Sequence, residues 1–154
     1  MFNIVLFEPE IPPNTGNIIR LCVNAGSYLH IIKPMAFSLD EKAVKRSGMD
    51  YRAVAQVKTY ECYEEFLRLC KPARIFAVTT KAKTLYHQQT FMKGDFFVFG
   101  PETRGLPKEI LERKDNESLI RVPMVKNNRS INLANTVSII LYEAWRQINF
   151  ENGQ

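Results

Sequence analysis

The segment Phe96-Phe97-Val98-Phe99-Gly100-Pro101-Glu102-Thr103-Arg104-Gly105-Leu106-Pro107 decides the fold class. Its first four residues are aromatic or β-branched, the composition of a strand. Gly100 and Pro101 break that run, and the stretch to Gly105 is rich in turn formers. A short helical pattern follows Pro107, a residue the first turn of a helix tolerates. Strand, glycine-containing loop and helix in that order are one step of an alternating α/β chain.

The same alternation extends in both directions. Apolar runs at Asn3 to Phe7, Leu29 to Ile32, Val54 to Val57, Arg74 to Val78 and Leu119 to Val122 bring the number of predicted strands to six. Helical patterns cover Thr15 to Ala25 (closed by Gly26), Asp40 to Arg46 (closed by Gly48), Cys62 to Leu69 (before Pro72) and Asn132 to Ile148. The last carries Leu133, Val137, Ile140, Leu141, Ala144, Trp145 and Ile148 on one broad face that must be buried. The expectation is a single-domain, mostly parallel six-stranded α/β sheet with flanking helices. It occupies residues 1–150 and leaves 151–154 as a disordered tail.

Composition narrows the function classes. The 154 residues hold 45% apolar side chains, and 21 Lys and Arg stand against 16 Asp and Glu, a net charge of +5. That excess suits a polyanionic partner without demanding one. Cys22, Cys62 and Cys70 show neither paired spacing nor a Cys/His ligand pattern, so no disulfide framework or metal site is expected. The apolar start at Met1 to Phe7 is interrupted by Glu8 and has no basic flank, too short for a signal sequence or a membrane span. A cytoplasmic protein with no membrane association is expected.

In open α/β sheets ligands bind beyond the carboxyl ends of the strands. Three loops there carry unusual residues: Thr79-Thr80-Lys81, the Gly100 to Gly105 stretch, and Pro123-Met124 running on to Asn127-Asn128-Arg129-Ser130-Ile131-Asn132. The chain lacks GxGxxG after its first strand, GxxxxGK[ST] and GxSxG, which disfavours dinucleotides, nucleoside triphosphates and serine hydrolysis. His30 alternates within a strand and reads as structural. In Pro12-Pro13-Asn14-Thr15-Gly16-Asn17-Ile18-Ile19-Arg20, a helix starting near Thr15 puts Asn17 and Arg20 on one face. That face could capture phosphate, or Asn14 could simply cap the helix with Arg20 solvated; both readings stand.

Taken in order, NTGNIIR, FGPETRGLP and RVPM with NRSINLANTVSIILYEAWR resemble the three characteristic motifs of the SPOUT superfamily of methyltransferases. Within it, the single-domain length and the opening NIVLFEPEIPPNTGNIIRLC are similar to the enzymes that methylate the ribose 2′-hydroxyl of the wobble nucleotide, C or U at position 34 of tRNA. The resemblance implies a deep C-terminal trefoil knot, a homodimer, S-adenosyl-L-methionine as cofactor with S-adenosyl-L-homocysteine as product, and the tRNA anticodon stem-loop, of leucine tRNA, as partner. Periodicity suggests no knot, and the general rule against threaded chains would exclude it.

By position, the resemblance implies that Val78, Thr80, Gly100, Glu102, Val122, Ser130, Ile131 and Leu133 bind the cofactor. It implies Arg20, Asn17, Glu102 and Arg129 as catalytic residues, with Asn132 beside them. Arg20, Arg46, Arg104 and Arg129 would contact RNA, and Tyr142 would lie at the subunit interface; for Trp145, on the same helix, the interface and ordinary core packing both stand. Lys42, Lys45, Arg46 and Arg52 form a basic segment that suits RNA phosphates or a solvated helix face. Where relatives commonly read RSMNLS this chain has Arg129-Ser130-Ile131-Asn132-Leu133-Ala134, so a hydroxyl at position 134 is missing. Because arginine stays protonated at neutral pH, Arg20 is expected to orient a phosphate and lower the hydroxyl's pKa, with another group accepting the proton. Methylation of another tRNA or rRNA position, or a non-catalytic RNA-binding role, are the competing readings.

Overall fold

The computed structural model describes residues 1–35, 57–113 and 118–154. Among these residues seven strands form one sheet: β1 (Asn3–Phe7), β2 (Tyr28–Ile32), β3 (Val57–Tyr60), β4 (Ile75–Val78), β5 (Thr84–Leu85), β6 (Phe96–Phe99) and β7 (Ser118–Arg121). Their order is β3-β2-β1-β6-β4-β7-β5 and every pairing is parallel. The α-helices among the described residues are α1 (Pro12–Asn24), α2 (Tyr63–Cys70), α3 (Lys108–Leu111) and α4 (Leu133–Gln147).

Strand periodicity separates two cores. Ile4, Leu6, Ile31, Phe97 and Phe99 face one side, where Ile18, Ile19 and Cys22 of α1 and Val137, Ile140, Leu141 and Ala144 of α4 cover them. Val5, Ile32, Ala77, Phe96 and Val98 face the other, against Tyr63 and Phe66 of α2 and Ile110 of α3. Trp145 packs at the margin of the first core, edge-on to the rings of Tyr142 and Phe150, and its indole N–H donates to the Glu151 carbonyl at 3.0 Å. Glu151 also pairs with Lys93.

The expected α/β architecture is present, with corrections. Among the described residues the sheet has seven strands rather than six, because β5 is only two residues long and leaves no periodic trace. β3 begins at Val57, where the expected strand ended. It is an edge strand with Lys58 and Thr59 exposed, so its polar sequence hid it, and positions 54–56 lie outside the described residues. The helix expected at Asp40 to Arg46, and with it Lys42, Lys45, Arg46 and Arg52, also lies outside them. α1 starts three residues before Thr15, since Pro12 and Pro13 occupy its first turn, where no N–H is needed. Gly26, at φ +59, closes α1.

His30 has a full set of partners at the opposite end of the sheet from the strand-end loops. Asn3 Nδ2 donates to the carbonyls of Gly94 (3.3 Å) and Asp95 (3.4 Å), which turns Asn3 Oδ1 toward His30 Nε2 at 3.2 Å. The ring therefore carries its proton on Nε2, and Nδ1 accepts from the Tyr60 hydroxyl at 2.8 Å. Burial, with the Lys58 charge, pushes the His30 pKa down to about 4.

Candidate active site

The sheet changes direction between β1 and β6. From β1 the chain moves outward to β2 and β3; from β6 it moves the other way, to β7. The loops leaving two such strands diverge and open a crevice at their carboxyl ends. Here the crevice is a cleft of about 420 Å³, walled by the segments after β4, β6 and β7 and by the start of α1.

The first wall turns at Gly100. A Cβ placed there would lie 2.3 Å from the Leu106 nitrogen and 2.4 Å from the Gly105 carbonyl carbon, so the loop can close on itself only with glycine. The Gly105 N–H donates to the Pro101 carbonyl at 3.0 Å, and Gly105 itself sits at φ +68. The loop is then tied to the chain after β1. Glu10 accepts from the Thr103 N–H at 3.0 Å and hydroxyl at 2.6 Å, and from Arg104 Nε at 3.1 Å; Arg104 Nη2 reaches Glu8 at 2.8 Å. The Thr103 bonds, then Arg104, hold the Glu10 carboxyl below the usual carboxylate range, and Glu8 and Glu10 raise the pKa of Arg104.

Glu102 is the hub of the site. Its carboxylate accepts from the backbone N–H groups of Glu10 (2.8 Å) and Ile11 (3.1 Å), at the start of α1, and from Asn14 Nδ2 (3.1 Å). Negative charge at a helix N-terminus is favourable, and Ile11, the residue before the helix, offers no side-chain cap of its own. Asn14 Oδ1 in turn accepts from Asn132 Nδ2 at 2.9 Å, and Asn132 Oδ1 caps α4 by accepting the Asn135 N–H at 3.2 Å. One chain of hydrogen bonds therefore joins α1, the loop after β6 and the start of α4.

The eight residues expected around a cofactor, Val78, Thr80, Gly100, Glu102, Val122, Ser130, Ile131 and Leu133, all line this cleft, and Arg104 joins them. Asn17, Arg20 and Arg129 do not. Asn17 and Arg20 are exposed together on the outer face of α1, and Arg129 is exposed on the loop before α4. Arg46 lies outside the described residues. Lining residues that the sequence did not single out as site residues are Asn14, read there only as a helix cap, Lys81, quoted only within the loop after β4, and Arg121, quoted only within the RVPM motif. Among the described residues no group of three or more His, Cys, Asp or Glu side chains could hold a metal ion, and no helix is long and apolar enough to cross a membrane.

The cleft fits a nucleoside-sized group. Its volume falls in the usual range for small-molecule sites, ~300–1,000 Å³. Its walls pair apolar side chains, Val78, Leu106, Val122 and Leu133, with the tight turn at Gly100.

Comparison with known proteins places this geometry. A tRNA (cytidine(34)-2′-O)-methyltransferase of Burkholderia cenocepacia is 52% identical over 155 residues, covering 99% of both chains. A structure described as giving insight into 2-OH methylation of C/U34 on tRNA superposes with a TM-score of 0.87 at 38% identity, over 97% of each chain. The SpoU methyltransferase AviRb from Streptomyces viridochromogenes, solved with AdoMet, shares the fold at a TM-score of 0.82 and 23% identity, over 96% of this chain and 60% of its own. The model of the SpoU rRNA methylase family matches residues 1–142, which include all seven described strands and every residue lining the cleft, and the chain belongs to that family.

Proposed function

We propose that the protein is an S-adenosyl-L-methionine-dependent tRNA methyltransferase acting on the ribose 2′-hydroxyl of nucleotide 34, C or U. The observation that carries this reading is the convergence of the loops after β4, β6 and β7 on one cleft, with all eight expected cofactor residues in its wall. Full-length identity of 52% to a relative named for cytidine 34 supports the position. Leucine tRNA is the substrate we carry with it.

When bound, the cofactor supplies an electrophilic methyl group on a sulfonium. The protein's own work is to hold and orient. Val78, Leu106 and Val122 give the cleft apolar walls, and Gly100 lets the loop after β6 close tightly on Gly105 and Leu106, which fixes the wall that positions the ligand. Glu102, whose two oxygens already accept three hydrogen bonds, fixes the loop and acts as a positioning residue. Arg20 and Arg129 have no hydrogen-bond or ion-pair partner among the described residues, so both guanidinium forks are open to RNA phosphate. The 2′-hydroxyl proton leaves to a backbone, phosphate or water oxygen.

Because Asn17 and Arg20 sit outside the cleft lining, the reading includes a homodimer whose second copy completes the site. Tyr142, exposed on α4 beside Trp145, is the contact we assign to it. The knot belongs to the same reading. β7 inserts between β4 and β5, so the chain leaves the sheet beside the loop after β4 before α4 returns to pack on α1.

The test is methyl transfer from labelled cofactor to total tRNA and to rRNA of a strain lacking the gene. Incorporation into tRNA supports the reading. Incorporation into rRNA alone, or none, overturns it.

A further inference from the structure

We propose that the substrate's phosphodiester backbone is held on the β4–β7 side of the cleft, by Lys81 and Arg121, and not by Arg104 on the β6 side. The proposal rests on the RNA-methyltransferase reading above and names which edge of that site faces RNA.

All three cations line the cleft. Arg121 ends β7, and parallel pairing sets it beside the end of β4: Val78 pairs with Ile120, and the Thr79 N–H donates to the Ile120 carbonyl at 2.9 Å. Lys81 follows in the turn leaving β4, which is closed by the Ala82 N–H on the Thr79 carbonyl (3.2 Å) and pinned by the buried Ala82. The two cations thus share one edge, and both are exposed without an ion pair among the described residues.

Arg104 stands in the opposite electrostatic setting. Its Nη2 and Nε are held by Glu8 at 2.8 Å and Glu10 at 3.1 Å, so one positive charge meets two negative ones, a local sum of −1. A phosphate arriving there would face two carboxylates and would have to displace them from a formed fork. On the other edge it meets two unpaired positive charges and releases counterions with nothing to displace. Like charges repel and opposite charges attract at the same range, so the sign of each edge decides where the backbone lies.

An unpaired cation pair could equally take an anionic oxygen of the cofactor's carboxylate, and the experiment separates the two. Binding of unmodified tRNA is measured by fluorescence anisotropy across a salt series for the wild type, Lys81→Ala, Arg121→Ala and Arg104→Ala, alongside calorimetry with S-adenosylhomocysteine. The proposal expects Lys81→Ala and Arg121→Ala each to flatten the slope of log K against log salt by about 1, with S-adenosylhomocysteine affinity falling less than tRNA affinity. Arg104→Ala should leave the slope as it is. An unchanged slope in the first two variants, a flattened one in Arg104→Ala, or loss of cofactor binding at an unchanged tRNA slope overturns the proposal. A wild-type protein that binds no tRNA overturns the functional reading as well, whereas tight wild-type binding with unaffected variants overturns this assignment alone.

Discussion

Asn132 and Asn14 meet through one hydrogen bond of 2.9 Å across 118 residues of chain, and its direction is fixed at both ends. Glu102 can only accept, so it claims the Asn14 amide nitrogen; the Asn135 N–H can only donate, so it claims the Asn132 carbonyl oxygen. What remains is Asn132 Nδ2 facing Asn14 Oδ1. The two helix starts that frame the cleft are thereby locked to one another and to the loop after β6.

Removing the hub should be costly. Glu102→Ala leaves the Glu10 and Ile11 N–H groups and Asn14 Nδ2 without their acceptor, and orphaned donors cost roughly 1–3 kcal/mol each when buried. Because this site is only partly buried, we expect ~2–4 kcal/mol in total by urea denaturation, with much of it recovered in Glu102→Gln, which keeps one acceptor. A Glu102→Gln protein that is fully stable, binds cofactor and yet transfers no methyl would assign Glu102 the proton transfer instead.

Gly100→Ala places a methyl group 2.3 Å from the Leu106 nitrogen, a backbone atom that cannot turn aside. The loop must shift while the two cores stay intact. Calorimetry should show loss of cofactor binding, at least tenfold, with an unchanged far-ultraviolet circular dichroism spectrum. Unimpaired binding would show that the cofactor does not use this turn.

His30 makes stability depend on pH. Its pKa lies at about 4 in the fold against 6.5 for the free side chain, so the unfolded chain takes up the proton first. The contribution is complete above pH 6.5 and is lost as pH falls toward 4, with a size of about 3 kcal/mol at ~1.4 kcal/mol per unit. His30→Gln, a neutral side chain that can still hydrogen-bond, should flatten the fall in urea midpoint between those limits; an equal fall in both proteins would place the proton uptake elsewhere.

Arg20 should separate chemistry from cofactor binding, since it lies outside the cleft wall. For Arg20→Ala we expect methyl transfer to drop about 100-fold or more, the scale of losing one charge-stabilising donor, with cofactor affinity unchanged. Arg20→Lys should remain impaired because an ammonium cannot make the two-pronged contact. Near-normal turnover of Arg20→Lys would show that fork geometry is unnecessary.

The sequence disclosed those parts of the molecule that local chemistry writes plainly. α4 was legible almost to the residue, because Asn132 caps it and its apolar face repeats every turn. The strands of the sheet's centre were legible because Ile4, Val5 and Leu6, or Phe97, Val98 and Phe99, are buried on both faces and leave unbroken apolar runs. The edges were not: β3 is half exposed and β5 has two residues. The cleft's lining was carried by resemblance over three motifs. Its wiring was beyond sequence, since nothing local tells Glu102 to cap a helix 91 residues earlier, or Glu8 and Glu10 to take the charge of Arg104.

The most direct measurement is nucleoside mass spectrometry on leucine tRNA from a strain lacking the gene, incubated with the purified protein and S-adenosyl-L-methionine and digested to isolate the anticodon fragment. A single added methyl is expected on the ribose of nucleotide 34, released as a 2′-O-methylated nucleoside. A methyl on a base, or a ribose methyl at any nucleotide other than 34, would contradict it.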